Sequence, residues 1–244
     1  MVRDLAPPAR TDLVDIIIPC WNNANFTIAC LRSIKKYTEN YRVILVDNGS
    51  TVKDRGEVYY EILDEDIPHL FIDLPKNIGF VKATNIGIAA AEGDVVLLNN
   101  DTEVSEGWLE DLWGGLWFGH GIIGPLADEG IESWQSLGNA EKFVGLKLPT
   151  AKNHFMPVKG MVAFFCVYIT RDVIQDVGYL SEAYGIGFGD DDDYCARARA
   201  RGHHIALATD TVIKHHHRTT FKVAYPEYKD MQVKNMAIFK RRNP

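Results

Sequence analysis

Between Val14 and Leu98 the chain changes its hydrophobic period again and again. Four short apolar runs, Val14–Ile18, Arg42–Val46, Leu70–Asp73 and Val95–Leu98, alternate with segments whose apolar residues recur at helical spacing. Val95–Leu98 is wholly apolar and predicts a strand buried on both faces, as in a parallel sheet; Val14–Ile18 reads as a buried strand, and Arg42–Val46 and Leu70–Asp73 read as strands. In the segments between them, Ile28, Leu31 and Ile34 share one face, a second helix covers roughly Val52–Leu63, and Ala83, Ile86, Ala90 and Ala91 mark a third. Asn25 stands where it could cap the first helix, and Gly93 where it could end the third in the left-handed region. Repeated β and α elements over the first hundred or so residues predict an α/β fold with a mostly parallel sheet, a Rossmann-like half.

Three strands run into polar clusters. Val14–Ile18 leads to Pro19-Cys20-Trp21-Asn22-Asn23, Arg42–Val46 to Asp47-Asn48-Gly49-Ser50-Thr51, and Val95–Leu98 to Asn99-Asn100-Asp101. Right-handed crossovers collect all three at the carboxyl edge of the sheet, where open α/β sheets bind ligands.

The rest of the chain is less regular. A Trp-rich helix is expected over Trp108–Phe118 and a strand over Gly121–Pro125. The span Asp128–Lys152, with Trp134, is mixed and loop-rich. A buried strand is expected over Gly160–Thr170 and a short helix over Arg171–Val177. A glycine loop, Gly185–Gly189, precedes a helix from Asp190 to about Arg201, and a strand follows at Ile205–Ala208. The tail Pro226–Pro244 reads as an amphipathic helix ending in Lys240-Arg241-Arg242. It either packs on the domain or meets an anionic membrane surface through its basic end.

Composition narrows the function. A formal net charge of −7 does not favour nucleic acid as a partner. Cys20, Cys30, Cys166 and Cys195 show no paired spacing and read as reduced thiols of a cytoplasmic protein. The opening MVRDLAPPAR has no apolar core and reads as a loose lead-in rather than a signal peptide. The longest apolar stretch, Met161–Thr170, is far short of the ~20 residues that span a bilayer.

Two clusters carry chemistry. Asp190–Asp193 places four carboxylates at a helix start, where the helix dipole offsets part of their repulsion. Crowding raises carboxylate pKa values, which suits a general base; capping of a solvated helix is the plainer alternative. His215-His216-His217 follows a strand and offers imidazole nitrogen for an ion of the Mn²⁺ type, or is a surface run. Gly119-His120-Gly121-Ile122-Ile123-Gly124 matches a dinucleotide-binding spacing, but it follows a helix and precedes a strand, the reverse of what that loop needs.

In order and spacing, these elements resemble family 2 glycosyltransferases of GT-A fold, and within them a rhamnosyltransferase-like branch. The resemblance covers roughly Val14–Phe221. It rests on Ile16-Ile17-Ile18-Pro19 with Trp21-Asn22, Val46-Asp47-Asn48-Gly49-Ser50-Thr51, Asn77-Ile78-Gly79-Phe80 with Ala83, Asn85 and Gly87, and Leu98-Asn99-Asn100-Asp101. Later elements are Gly189-Asp190-Asp191 with Asp193, Cys195 and Arg197, and His215 before Phe221.

The resemblance implies a single domain with a nucleotide-sugar half (12–101), an acceptor and catalytic half (102–221) and a helical tail (222–244). It implies that Asp47 contacts the base or ribose of the donor, that Pro19, Trp21 and Asn22 flank the base, and that Asn77, Lys82 and Asn85 lie near the ribose and diphosphate. Asp101 matches the last residue of the family's Asp-x-Asp motif, with Asn99 at its first position and Asn100 between them. His215, with His217 as the competing choice, matches the late metal-binding histidine, so Asp101 and one His would hold Mn²⁺ or Mg²⁺. Asp191 matches the catalytic base, Asp193 pairs with Arg197, and Asp190 falls on the acceptor side; Trp134 and the aromatics of Gly160–Tyr168 are candidates for stacking on sugar, with core packing the plainer alternative. The implied reaction is inverting transfer from a UDP-, dTDP- or GDP-sugar to a hydroxyl of a glycan or lipid-linked acceptor. A nucleotidyltransferase and a catalytically silent binding module are the competing readings.

Overall fold

Strand β1 (Val14–Cys20) is buried at all seven positions, which only a strand covered on both faces can be. A computed structural model, describing residues 10–128, 134–137, 139, 141, 154–216 and 228–243, places β1 between two parallel partners. These are β2 (Tyr41–Asp47) and β4 (Val95–Leu98), and β3 (His69–Asp73) lies parallel on the outer side of β2. Helices α1 (Ala24–Tyr37), α2 (Val52–Asp64) and α3 (Phe80–Ala90) make the connections. The alternation read in the sequence is therefore the observed one, and the three polar clusters share one sheet edge.

Successive side chains of β1 enter opposite faces, Ile16 and Ile18 one apolar cluster and Ile17 the other. On the Ile17 face α3 lies close to the sheet at Gly87. A Cβ there would come within 2.3 Å of Ile17 Cγ2. A glycine inside a helix costs about 1 kcal/mol against alanine, and the close helix–strand contact offsets that cost.

Two expected helix ends differ. Asn25 lies inside the first turn of α1, which begins at Ala24. Asn22 and Asn23 sit in the left-handed region before it, and Ala24 N–H donates to Asp54 Oδ1 of α2 at 3.1 Å. The first helix is thus capped from the second. Gly93 does not take up a left-handed conformation. α3 stops because Ala91 turns extended and Glu92 N–H donates to Asp15 Oδ2 at 2.9 Å. Asp15, buried, also holds Arg42 through both oxygens, at 2.8 and 3.0 Å.

The second half continues the same sheet. Its strands are β5 (Thr102–Glu103), β6 (Ile122–Ala127), β7 (Phe155–Pro157), β8 (Cys166–Ile169) and β9 (Ile205–His215). The helices are α4 (Trp108–Gly114), α5 (Arg171–Val177), α6 (Asp190–Ala200) and α7 (Tyr228–Arg242). Among the described residues the order is β3-β2-β1-β4-β8-β6-β9-β5, with β7 on β9. Strand β8 runs against both β4 and β6, and β5 and β7 run against β9; the others are parallel. This is a mixed α/β fold with a mostly parallel sheet.

The expected Trp-rich helix ends early, at Gly114, and tightens into a 3₁₀ turn over Gly115–Phe118. The apolar run from Gly160 is a strand only over Cys166–Ile169, because Val162, Phe164 and Phe165 are buried without sheet pairing of their own. The short strand at Ile205 extends to His215. Its register against β6 jumps from Pro125↔Ala208 to Leu126↔Val212, and that bulge hides the alternation in the sequence. Among the described residues no helix is long and apolar enough to cross a membrane.

Candidate active site

The loops that follow β1, β2 and β3 at the carboxyl edge are tied into one unit. Asp47, 1% exposed, accepts backbone N–H groups of Gly49 and Ser50 on Oδ1, at 3.1 and 2.8 Å. Asn22 accepts Thr51 N–H at 2.9 Å, and Trp21 donates its indole N–H to Gly49 O at 3.2 Å. Asn48 donates to Asn77 Oδ1 at 3.1 Å and accepts Ile78 N–H at 2.9 Å, and Asn77 Oδ1 also accepts Gly79 N–H at 2.9 Å. Gly49 has φ +80, and a Cβ on it would stand 2.4 Å from the carbonyl carbon of Lys76. Only glycine allows that approach. Trp21, Asn22, Asp47 and Asn77 are therefore held in neighbouring loops at this edge, and Pro19 lies in β1 opposite Val46 of β2.

Other expected donor residues have different partners. Asn85 exchanges two hydrogen bonds with Leu180, donating to its carbonyl at 2.9 Å and accepting its N–H at 3.0 Å. It joins α3 to the segment before the acidic loop, and its amide is committed there rather than offered to a diphosphate. Lys82 is exposed and lies 3.7 Å from Glu182. Asn100 donates to Thr27 Oγ1 of α1 at 2.9 Å, which fixes the polar turn after β4.

That turn presents Asn99 and Asp101 to the end of β9. The two-residue strand β5 pairs Thr102 with His215, and His215 Nε2 lies 3.1 Å from Asp101 Oδ1. Asn99 Nδ2 is 3.5 Å from the same nitrogen. Both side chains of the Asp101–His215 pair are 10% exposed. Phe165 stacks on the imidazole, with centroids 5.0 Å apart and planes 15° from parallel, and Asp128 Oδ1 accepts the His215 N–H at 3.0 Å. His216 turns the other way, to Glu103 at 2.6 Å and against Phe26. His217 lies outside the described residues.

Sequence reasoning missed Phe165, Asp128 and β5. Phe165 sits in an unbroken apolar run, and two residues are too few to show a period. Among the described residues no three His, Cys, Asp or Glu side chains gather into a metal cluster. One carboxylate oxygen and one imidazole nitrogen nevertheless make a suitable partial donor set for a borderline-hard divalent cation.

The acidic cluster opens α6. Burial first, then the charges of Asp192 and Asp193, raise Asp190 to about 6. Burial, with Asp190 and Asp192 beside it, raises Asp191 well above the ordinary carboxylate value. Asp193 is structural, as expected. It accepts Arg197 Nε at 2.7 Å and the Tyr184 hydroxyl at 3.0 Å. Burial also raises Asp192, so three crowded carboxyls stand beside one that is ion-paired to Arg197.

The acceptor-side aromatics are core. Phe164, Phe165 and Tyr168 are buried, and Tyr168 donates to Asp94 at 2.7 Å. Trp134 packs against the small cluster of Leu126 and Leu207 rather than standing ready to stack on a sugar. The Gly119–Gly124 segment runs from the end of a 3₁₀ turn into β6, so it is no dinucleotide loop.

Comparison with known proteins bears on the family and the fold. The chain is 29% identical over 105 residues to Glycosyltransferase GlyG of Streptococcus pneumoniae serotype 4, covering 42% of this chain and 35% of that protein. It is 36% identical over 117 residues to an N-acetylglucosaminyltransferase of Rhizobium sp. strain N33, covering 43% of this chain and 26% of that protein. These matches thus span about a quarter to a third of the curated relatives. Among solved structures, the mannosyltransferase PcManGT from Pyrobaculum calidifontis, in complex with GDP-Man and Mn²⁺, superposes with TM-score 0.71 at 16% identity, over 93% of this chain and 64% of that one. S. aureus TarS in complex with UDP-GlcNAc gives 0.61 at 16% identity, over 82% of this chain and 57% of that one. At such identity they establish the shared GT-A fold. The family model for glycosyl transferase family 2 matches residues 15–178, and by that match this chain belongs to glycosyltransferase family 2.

Proposed function

We propose that the chain transfers a glycosyl group from a nucleoside-diphosphate sugar to an acceptor hydroxyl by a single inverting displacement. The observation that carries this is the meeting of Asp101 and His215 at 3.1 Å beside the interlocked loops of β1, β2 and β3. The donor's base lies along Pro19, Trp21 and Asn22, with Asp47 holding the loop that faces it. Asp101 and His215 would hold a divalent cation, which would supply positive charge where the diphosphate leaves. Asn99 borders that pair.

Asp191 takes the proton from the attacking hydroxyl. Its burial makes it a stronger proton acceptor than a surface carboxylate. One base and one leaving-group site suit a single displacement, whereas a glycosidase would want two carboxylates flanking the bond. Asp190, beside the base, faces the acceptor side, and the acceptor is a glycan or lipid-linked saccharide. The four cysteines, all buried free thiols, support a cytoplasmic setting.

The relatives' names and the UDP-GlcNAc complex of TarS direct the first donor test to UDP-N-acetylglucosamine, ahead of a rhamnosyl donor. Release of UDP, dTDP or GDP from the matching donors, with Mn²⁺ and candidate saccharide acceptors, tests the reading. Acceptor-dependent release from one donor supports it. Nucleotide binding without release from any donor favours a silent binding module.

A further inference from the structure

We propose that α7 is a clamp for the acidic loop, and that Asn235 is the positioning residue through which it holds Asp191 in place. This rests on the assignment of Asp191 as the base.

The loop needs holding. Gly185, Gly187, Phe188 and Gly189 all have positive φ, at 59, 132, 68 and 89 degrees. Phe188 has a side chain, and such a conformation costs it on the order of 1–2 kcal/mol unless the surroundings enforce it. Asp191 begins two residues after this run, so the loop's shape sets where the carboxylate stands.

Helix α7 runs along that loop with one face. Tyr228, Asn235 and Arg242 recur seven residues apart, two helical turns each, and so lie on one side. Tyr228 stacks on Phe188, with centroids 6.2 Å apart. Asn235 donates its side-chain amide to Tyr184 O at 2.9 Å and to Gly187 O at 2.7 Å. Arg242 donates to Ser181 Oγ at 2.7 Å and lies 3.8 Å from Asp193 Oδ1.

The helix buries a polar residue where a plain packing helix would bury an apolar one. Asn235 is its buried position, 7% exposed, while Met231, Met236, Ile238 and Phe239 are only half-buried. An amide at that place costs free energy unless both its hydrogens are used, and here both are. The two carbonyls it holds flank the start of the glycine run. Helix α7 lies outside the span matched by the family model, and nothing in the donor site uses it.

The test compares the full chain with Asn235→Ala and Arg242→Ala. Melting temperatures within a few degrees of wild type report the fold. Amide hydrogen exchange over residues 185–193 reports the clamp without any substrate. We expect exchange on the order of 10-fold faster there in Asn235→Ala, because two hydrogen bonds are lost. We expect kcat to fall ~100-fold with the donor KM unchanged, as a small misplacement of a base requires. Arg242→Ala, half-exposed, should move both readouts in the same direction and less, and it serves if Asn235→Ala does not fold. Unchanged exchange over 185–193 overturns the clamp. Faster exchange with unchanged kcat overturns its positioning role. Full activity in Asp191→Asn would instead sink the base assignment, and the exchange result separates the two failures.

Discussion

Asp101 and His215 lie 114 positions apart and meet at 3.1 Å because a strand of two residues, β5, pairs Thr102 with His215. That register brings the end of the first half's last strand against the end of the second half's long one. A one-residue slip would turn His215 away and bring a neighbour into its place. Asp128, Phe165 and Asn100 each hold one side of the junction by a hydrogen bond or a stack.

Replacing the base should separate binding from turnover. In Asp191→Asn, transfer should fall by about 10²–10⁴-fold, the range for loss of a general base. Nucleoside diphosphate binding should be unchanged, because Asp191 lies in α6, outside the network of Asn22, Asp47 and Asn77. Titration calorimetry and a nucleotide-release assay on the same preparation check this. Loss of both together would place Asp191 in the fold or the donor site.

The acidic cluster should make the fold weaker as pH rises. Asp190 is raised from 3.8 to about 6 in the folded chain, so the folded state holds its proton more tightly than the unfolded one. The stability that proton lends is present below pH ~4 and is lost as pH rises through ~6. Asp190→Asn should therefore raise the melting temperature at pH 7.5 and do much less at pH 4. The gain is on the order of 1–3 kcal/mol. Denaturant melts at the two pH values measure it, and an equal effect at both would contradict the sign.

Gly87→Ala should destabilise although alanine favours helices. The added methyl meets Ile17 Cγ2 at 2.3 Å, and overpacking a core contact costs about 1–3 kcal/mol. Gly56→Ala, in α2 with nothing within 4 Å of the added Cβ, is the control and should be neutral or slightly stabilising. Thermal melts of both variants decide it.

The thiols should be silent in the native protein. Burial raises the thiols of Cys20 and Cys166 well above the ordinary value, and those of Cys30 and Cys195 to about 12. The thiolate is the reactive form, so a water-soluble disulfide reagent should label none of the four before unfolding and all four in denaturant. Rapid labelling of one cysteine in the native state would show that its element opens.

Much of this was legible in the sequence. Val95–Leu98 announces a buried parallel strand because it is wholly apolar, Val14–Ile18 and Arg42–Val46 announce two more strands, and the polar endings of all three fall at one sheet edge. Asp101 and the run His215–His217 stood out by chemistry, and the family resemblance singled out His215 and the Asp193–Arg197 pair. What could not be read is what depends on partners far along the chain. Asn85 looks like any helix-surface amide until Leu180 is known to bind it. Asn25 yields its capping role to Asp54, thirty positions from Ala24, which it caps. Trp134 reads as a sugar platform only while Leu126 and Leu207 are out of view. Asn235, buried by a carbonyl pair on another loop, gives no periodic signal at all.

The measurement that bears most directly on the site is titration of the chain with UDP, dTDP and GDP, each in Mn²⁺ and in EDTA, repeated on Asp101→Asn and His215→Ala. One nucleotide should bind in Mn²⁺, lose at least about tenfold in affinity in EDTA, and show the same weak binding to both variants with or without the ion. Equal affinity in Mn²⁺ and EDTA, or variants that bind as wild type does, would contradict a metal site built on Asp101 and His215.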